Sequence, residues 1–593
     1  MAENVEPLVH SPKSLYELCV ARIVASTGGD FIPYLDYLIY LPKEVMFDVY
    51  YQVYKAGTHP FFILTELCRF EVFSKMLAVT SRRVDLFKCF EDCAQSVPRF
   101  KDELIIQYSP CSCVNVNLAA RERLINAGLI LGGFLSDAGW YPQSENILLK
   151  CLRLCLLSSS TPQHWCRILE CYHRLLHVQA AYCSFKCAEE TQNCALVIVK
   201  RLKEAKFDCN YAALYSEFSM LHYMRNEYDE TYRWSIKALK QLKPTLPARI
   251  TIDVLRQAAK SCVLKRKLQK AGLLIRQALY LARQEFEKNH PVYTNVLIDY
   301  GYYLLNFDSL FHSVNVYEEA LSLRKSVFSE FNLNVALALE NFAYALYVHE
   351  YTSGSFEVAR SQCLSPYSTS RECVLKARDT MESLLPGDHL LLASTRRVHA
   401  LILEEIAIND TALMRTSLLI AAANLHRSAL NLSRKAFGES NVQIAKHYGN
   451  LGRLYQSMGK FQEAAAMHTK AIRIKEELLG PDDFEVGLSI GHLASLYNFD
   501  MKRYEDAERL YHRSIAINLK LFGESYSGLE YDYRGLIHLY TQMHEDDKKM
   551  EYETTLINWR ILRFEHIQAE DPPIDHQGRP LPLEEVLDAF FST

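Results

Sequence analysis

The chain has 593 residues, more than one compact core accommodates, so several domains or an elongated array of repeats is expected. Its 49% hydrophobic and 23% charged residues are those of a folded chain, and a formal net charge of -4 gives no bulk attraction to nucleic acid or anionic membrane. No run approaches the roughly 18 apolar residues of a membrane span, and GxxxxGK, GxSxG and HExxH are absent, so the expected partners are proteins.

Seventeen cysteines are scattered without a CxxC pair, and the opening MAENVEPLVH lacks the apolar run of a signal peptide. A reducing compartment, cytoplasm or nucleus, is the expectation. Cys183, Cys187 and Cys194 lie near His173 and His177, but their spacing matches no zinc motif. They read as small buried packing residues, and neither metal nor cofactor is expected.

The first predicted helix is SLYELCVARIV, from Ser14 to Val24, where Leu15, Cys19 and Ile23 recur every four residues and form one apolar stripe. The next is LPKEVMFDV, Leu41 to Val49: Pro42 suits a first turn, where its missing N–H costs nothing, and Val45 and Val49 share a face. Both lie in a helical module, 1–110, that fits the later repeats poorly.

From 111 to 545 the chain is self-similar. NLGRLYQSMGKFQEAAAMHTKAIRIKEELLG (Asn450 to Gly480) aligns with HLASLYNFDMKRYEDAERLYHRSIAINLKLFG (His492 to Gly523) with one inserted residue. Two antiparallel helices approach closely only where a side chain is small, and this is the helical hairpin called TPR. The late small residue of each second helix gives Cys151, Ala195, Ala238, Ala278, Ala320, Ala377, Ala429, Ala471 and Ser514, spaced by 44, 43, 40, 42, 57, 52, 42 and 43. About nine repeats in an all-α solenoid are therefore predicted. The longer spacings mark insertions, one around Tyr351 to Ser370, whose Ser, Gly and Pro content reads as a surface loop. Residues 546–593 would supply a capping helix, KKMEYETTLINWRILRFEHI, and a partly ordered Pro-rich tail from Asp571.

First helices of such hairpins line the concave face. By alignment they present Glu217, Asp253, Asp299 and Glu340 in the middle repeats, then Arg397, Lys446, Asn450, Arg453 and Arg534, with Asn341 at the repeat position of Asn450. Acidic groups precede basic ones. That order would suit a peptide with a basic side chain and a free terminal carboxylate, paired in bidentate fashion by Arg453 or Arg534. The asparagines would hold its backbone.

The long repeats, ending in LLGPDD, FEKNHP or LLPGDH, resemble those of kinesin light chains over 285–523. Ser14 to Ile23 resembles the BC box, and Leu41 to Val49 the cullin-2 box that follows it; a cullin-5 box would want proline where Glu44 stands. The pair resembles substrate receptors of cullin-2 RING ubiquitin ligases. The resemblance implies that Ser14, Leu15, Cys19 and Ile23 meet elongin C, which brings elongin B, and that Leu41, Pro42, Val45 and Val49 meet cullin-2 with its RING-box protein. It further implies that no residue is catalytic and that substrates are held in the concave groove through short C-terminal degrons for proteasomal degradation. The competing expectation is a trafficking adaptor, linking tails of membrane proteins to microtubules at the periphery of membrane or cytoskeleton. The sequence leaves open whether two copies associate through their capping helices.

Overall fold

Close helix crossings need small side chains, and all nine predicted positions meet that need: none is more than 1% exposed. Each lies on the second helix of a hairpin, from Tyr141–Leu156 for Cys151 to Tyr504–Phe522 for Ser514. The computed structural model describes residues 14–26, 35–57, 65–97, 99–108, 118–157, 161–353, 367–409, 412–569 and 578–592. It is 83% helical, without strands among the described residues. No helix there is long and apolar enough to cross a membrane. Of the predicted surface insertion, 354–366 lie outside the described residues.

Most hairpins turn on a single residue in the left-handed region: Gly139, Cys183, Asn226, Arg266, Asp308, Gly459 and Lys502, with φ between 54 and 83°. Glycine suits that geometry at 139 and 459, whereas the other side chains accept strain to keep the two helices adjacent. At the crossings the tolerance is small. A Cβ on Gly301 would stand 2.9–3.0 Å from the ring of buried Tyr317. Gly301→Ala is therefore expected to cost about 1–3 kcal/mol by overpacking, read as a lowered chemical-denaturation midpoint.

The chain forms two compact units. The first comprises 1–178 with 327–329. Sequence periodicity put a boundary at 110, but Phe134, on the first helix of the first repeat, Leu118–Asp137, belongs to the aromatic core of the amino-terminal module. It stacks on Phe87 at 4.4 Å and meets Phe90 and Phe73 edge-on at 5.2 and 5.6 Å. The first repeat therefore completes the module.

The second unit comprises 179–326 and 330–593. Its array coils until distant repeats meet: Asn441 Nδ2 donates to the Arg225 carbonyl at 2.9 Å across 216 residues, and Ser527 Oγ donates to Asp308 at 2.6 Å across 219. One turn thus takes about five repeats of the 40–44-residue spacing. Leu529–Met543 and Asp546–Ala569 close the end as a further hairpin. Of the expected partly ordered tail, 578–592 are described. Leu583–Ser592 is a helix that buries Val586 and Phe590, one turn apart, and Gln277 clasps the Leu581 backbone through bonds of 2.7 and 3.0 Å.

Candidate functional site

The amino-terminal helix, Leu15–Ser26, is started by a reciprocal cap. Ser14 Oγ accepts from the Glu17 backbone N–H at 3.2 Å, and the Glu17 carboxylate accepts from the Ser14 N–H at 2.8 Å. This is the S-x-x-E capping box, so Ser14 and Glu17 fix the helix start. The spacing was visible in the sequence, where Ser14 counted only as a small residue. The helix docks through buried Val20 and through Tyr16, whose hydroxyl donates to Asp48 at 2.9 Å. Asp48 also holds Arg82 at 2.8 Å, Arg82 holds Asp85 at 2.7 Å, and Asp85 accepts from Tyr51 at 2.6 Å. With Val20 buried and the Tyr16 hydroxyl tied back to Asp48, the predicted stripe stays at the surface: Leu15 is 79% exposed, Ile23 43%, and Cys19 and Leu18 are exposed beside them, as is Tyr16 at 45%. An apolar stripe left in water by its own fold has the form of a partner surface.

The second segment forms the helix Lys43–Ala56, with Pro42 as the residue before its first turn. Lys75 Nζ fastens the approach by donating to the Leu41 carbonyl at 2.9 Å. Pro42 is exposed and Leu41 and Val45 are half-buried, but Val49 is 1% exposed and packs in the module's own core. Val49 is thus corrected from a partner contact to a support beneath Val45. Tyr50 donates to buried Glu66 at 2.9 Å, which pins the same helix from the other side.

On the concave face of the second unit, most predicted groups have partners inside the protein. Asp299 binds Arg256 at 2.7 Å and Lys260 at 3.5 Å, and Asp253 binds Arg256 at 3.0 Å and Arg249 at 3.8 Å. Buried Glu340 accepts from the Thr395 hydroxyl, and burial pushes its carboxyl up. Lys446 binds Glu485 at 2.7 Å. Burial opposes ionisation there, yet Lys446, Lys475 and Arg266 together hold the Glu485 carboxyl well below the usual range. Arg453 binds Glu405 at 2.7 Å and Glu404 at 3.4 Å; burial pushes Glu404 up to about 7 and Glu405 up as well. Arg534 is exposed and binds Glu530 at 2.6 Å, while Glu217 is half-buried.

The predicted acid-to-base order therefore does not survive. Around Asp253 and Asp299 three cations meet two carboxylates; around Arg453 two carboxylates share one guanidinium. The sequence argument missed Arg256, Lys260, Glu404, Glu405 and Glu485, which sit at other positions of the first helices. What stays unpaired is a strip: Asn341, Arg397 and Asn450 are half-buried on three successive first helices, Leu333–Ser353, Leu391–Asn409 and Val442–Ser457, without a side-chain hydrogen bond or ion pair. Arg397 lies over the Tyr344 ring at 5.0 Å, and its buried Nε has no acceptor. Beside the strip, Tyr344, Tyr347 and Tyr351 stack at 6.2 and 6.1 Å. Tyr351 and Tyr531 are 41% and 39% exposed, and desolvation pushes both hydroxyls up.

The cysteine expectation also changes. Cys187 and Cys194 are exposed and Cys183 partly so, whereas the cysteines that come together are Cys151, Cys155 and Cys171, all buried. Cys155 and Cys171 carried no sequence signal beyond helical spacing.

Comparison with known proteins fits this architecture. Amyloid protein-binding protein 2 of mouse (Mus musculus) and of rat (Rattus norvegicus) are each 46% identical over 583 residues, 98% of this chain and 97% of theirs. The chain belongs to the amyloid protein-binding protein 2 family. Tetratricopeptide repeat models match this family member at 411–477 and 486–525, within its last three predicted repeats. A solved Rap protein, complexed with competence and sporulation factor, aligns at 15% identity and a TM-score of 0.40, covering 60% of this chain and 99% of its own. As a member of the amyloid protein-binding protein 2 family, the chain is a TPR protein.

Proposed function

We propose that the protein is the substrate receptor of a cullin-2 RING ubiquitin ligase in the cytoplasm or nucleus, without a catalytic residue of its own. The observation that carries the reading is the capped helix with Leu15, Cys19 and Ile23 facing out, since an ordinary core helix would bury them. Leu15 enters an apolar pocket on elongin C, Cys19 packs beside it, and elongin B follows. Leu41, Pro42 and Val45 meet cullin-2, which carries the RING-box protein. The receptor then works by proximity, raising the effective concentration of a bound substrate at the ligase.

Substrate enters the concave face as a short C-terminal degron. Arg397 replaces Arg453 as the group for the terminal carboxylate, because it is the predicted groove cation with no acid partner. Asn341 and Asn450 flank it for the peptide backbone.

The test is co-purification of the full chain with elongin B, elongin C, cullin-2 and the RING-box protein; a chain that retains none of them sinks the receptor reading. For the groove, amidating the C-terminus of a bound peptide and the substitution Arg397→Ala are each expected to weaken binding at least about tenfold, the scale of one charge-assisted pair. Unchanged affinity in either case removes the carboxylate role. The printed name of the relatives favours a second use of the same face, in which the bound segment is the tail of the amyloid precursor protein and the protein acts as an adaptor toward microtubules. Co-purification separates the two, since an adaptor needs no elongin.

A further inference from the structure

Only one small residue is needed where a hairpin's helices cross, and in the first repeat that residue is Cys151. The position four residues after it varies in the other repeats, from Ala282 and Ser433 to Leu242 and Lys475, and none of them carries a thiol there. Yet Cys155 occupies it, one turn from Cys151 on the same face of Tyr141–Leu156, and Cys171 approaches both from the next helix, Pro162–Ala181. The Sγ atoms of Cys171 and Cys155 are 3.5 Å apart, those of Cys171 and Cys151 3.8 Å, and all three lie within 4.8 Å of one another. Three thiolates around one ion at about 2.3 Å stand about 3.8 Å from each other in a tetrahedral arrangement, so the observed triangle is already near that size.

We propose that Cys151, Cys155 and Cys171 form a thiolate site for one soft d10 cation, Zn2+ or Cu+, in the first unit of this protein. Three sulfurs suffice for trigonal Cu+, whereas Zn2+ takes a fourth ligand. The neighbouring imidazole is that of His164, which lies outside the triangle of sulfurs and would have to give up a hydrogen bond and turn to serve as that ligand. It lies two turns before Cys171 on the same helix, and its Nε2 is hydrogen-bonded to the carbonyl of Cys155. Binding releases one proton from each thiol that is protonated beforehand. The ion would tie the first repeat's second helix to the second repeat's first helix.

The experiment is elemental analysis with native mass spectrometry on the full chain purified without chelator. About one zinc or copper per chain, retained through dialysis and released on titration with an organomercurial, is the expected result. Cys155→Ala with Cys171→Ala should abolish retention. His164→Ala should weaken it if the ion is Zn2+ and leave it unchanged if it is Cu+. If the double variant does not fold, the organomercurial titration of the native chain decides alone: all seventeen thiols reacting with no metal released overturns the site, as does a mass two hydrogens short that marks a Cys155–Cys171 disulfide.

Discussion

Replacing Leu15 and Cys19 together by alanine is expected to strip elongin C and elongin B from the purified protein while leaving its own stability within about 0.5 kcal/mol, the usual range for exposed positions. The two halves of that expectation come from one fact. Leu15 is 79% exposed and Cys19 is exposed, so neither contributes to the packing of the helix, which is held by Val20, by the Tyr16–Asp48 bond and by the Ser14–Glu17 cap. A leucine fully buried by a partner is worth about 1.5–3 kcal/mol, so its loss alone lowers affinity about ten- to hundredfold. Pro42→Ala with Val45→Ala should spare the elongins and lose cullin-2. Retention of elongin C by the first variant would mean that the exposed stripe serves some other partner, and the trafficking reading would gain. Val49→Ala belongs in neither set: it removes core volume, and a loss of binding there would report misfolding.

The periodic features were legible because each hairpin repeats one packing problem. A small residue is forced wherever two helices cross, and this holds at all nine positions down to Ser514, which is buried although polar. The stripe of Leu15, Cys19 and Ile23 was equally legible, but its direction was not: a stripe says that a face will be covered, not by what. Exposure distinguishes the two, and it turned on Val20, which the fold buries, and on Tyr16, whose hydroxyl bonds Asp48, 32 positions away. The concave face was read least well, for a related reason. Alignment finds which residues point inward, but their charges are set by neighbours on the same and adjacent first helices, as with Arg256 at Asp299 or Glu485 at Lys446. Counting one residue per repeat overstated the free charge at Arg453 and left Arg397 undistinguished from it. The first compact unit runs past 110 because Phe134 serves two roles, as a repeat residue and as part of the amino-terminal aromatic core.

Arg453→Met is expected to be among the most destabilising single substitutions in the second unit, by about 3–5 kcal/mol near pH 8, because it leaves two buried carboxylates without their counter-charge. The pH dependence identifies the cause. Burial raises Glu404 in the folded protein to about 7, above its unfolded value of about 4.3. Between these values the folded state holds more protons than the unfolded state, so the stability contributed by this group is full below about pH 4.3 and is lost as pH rises toward 7. Without Arg453, both carboxyls should rise further and that window should extend upward. The cost of the variant is therefore largest above pH 8 and shrinks toward pH 5, where Glu404 and Glu405 take up protons instead of needing a cation. An exposed ion pair would lose its effect only near pH 4. The buried histidines act in the opposite direction: burial lowers His447 and His468 to about 3, so below pH 6.5 the unfolded chain binds protons that the folded one refuses, and stability falls. Arg453 also helps to hold His468 and His492 down, so the difference between the unfolding free energies of native protein and variant reports the carboxylates alone only above about pH 6.5, where the imidazoles are neutral in both states. A difference constant from about pH 6.5 to pH 8 would show that Arg453 acts through packing against Tyr347 and Tyr351 and not through its charge.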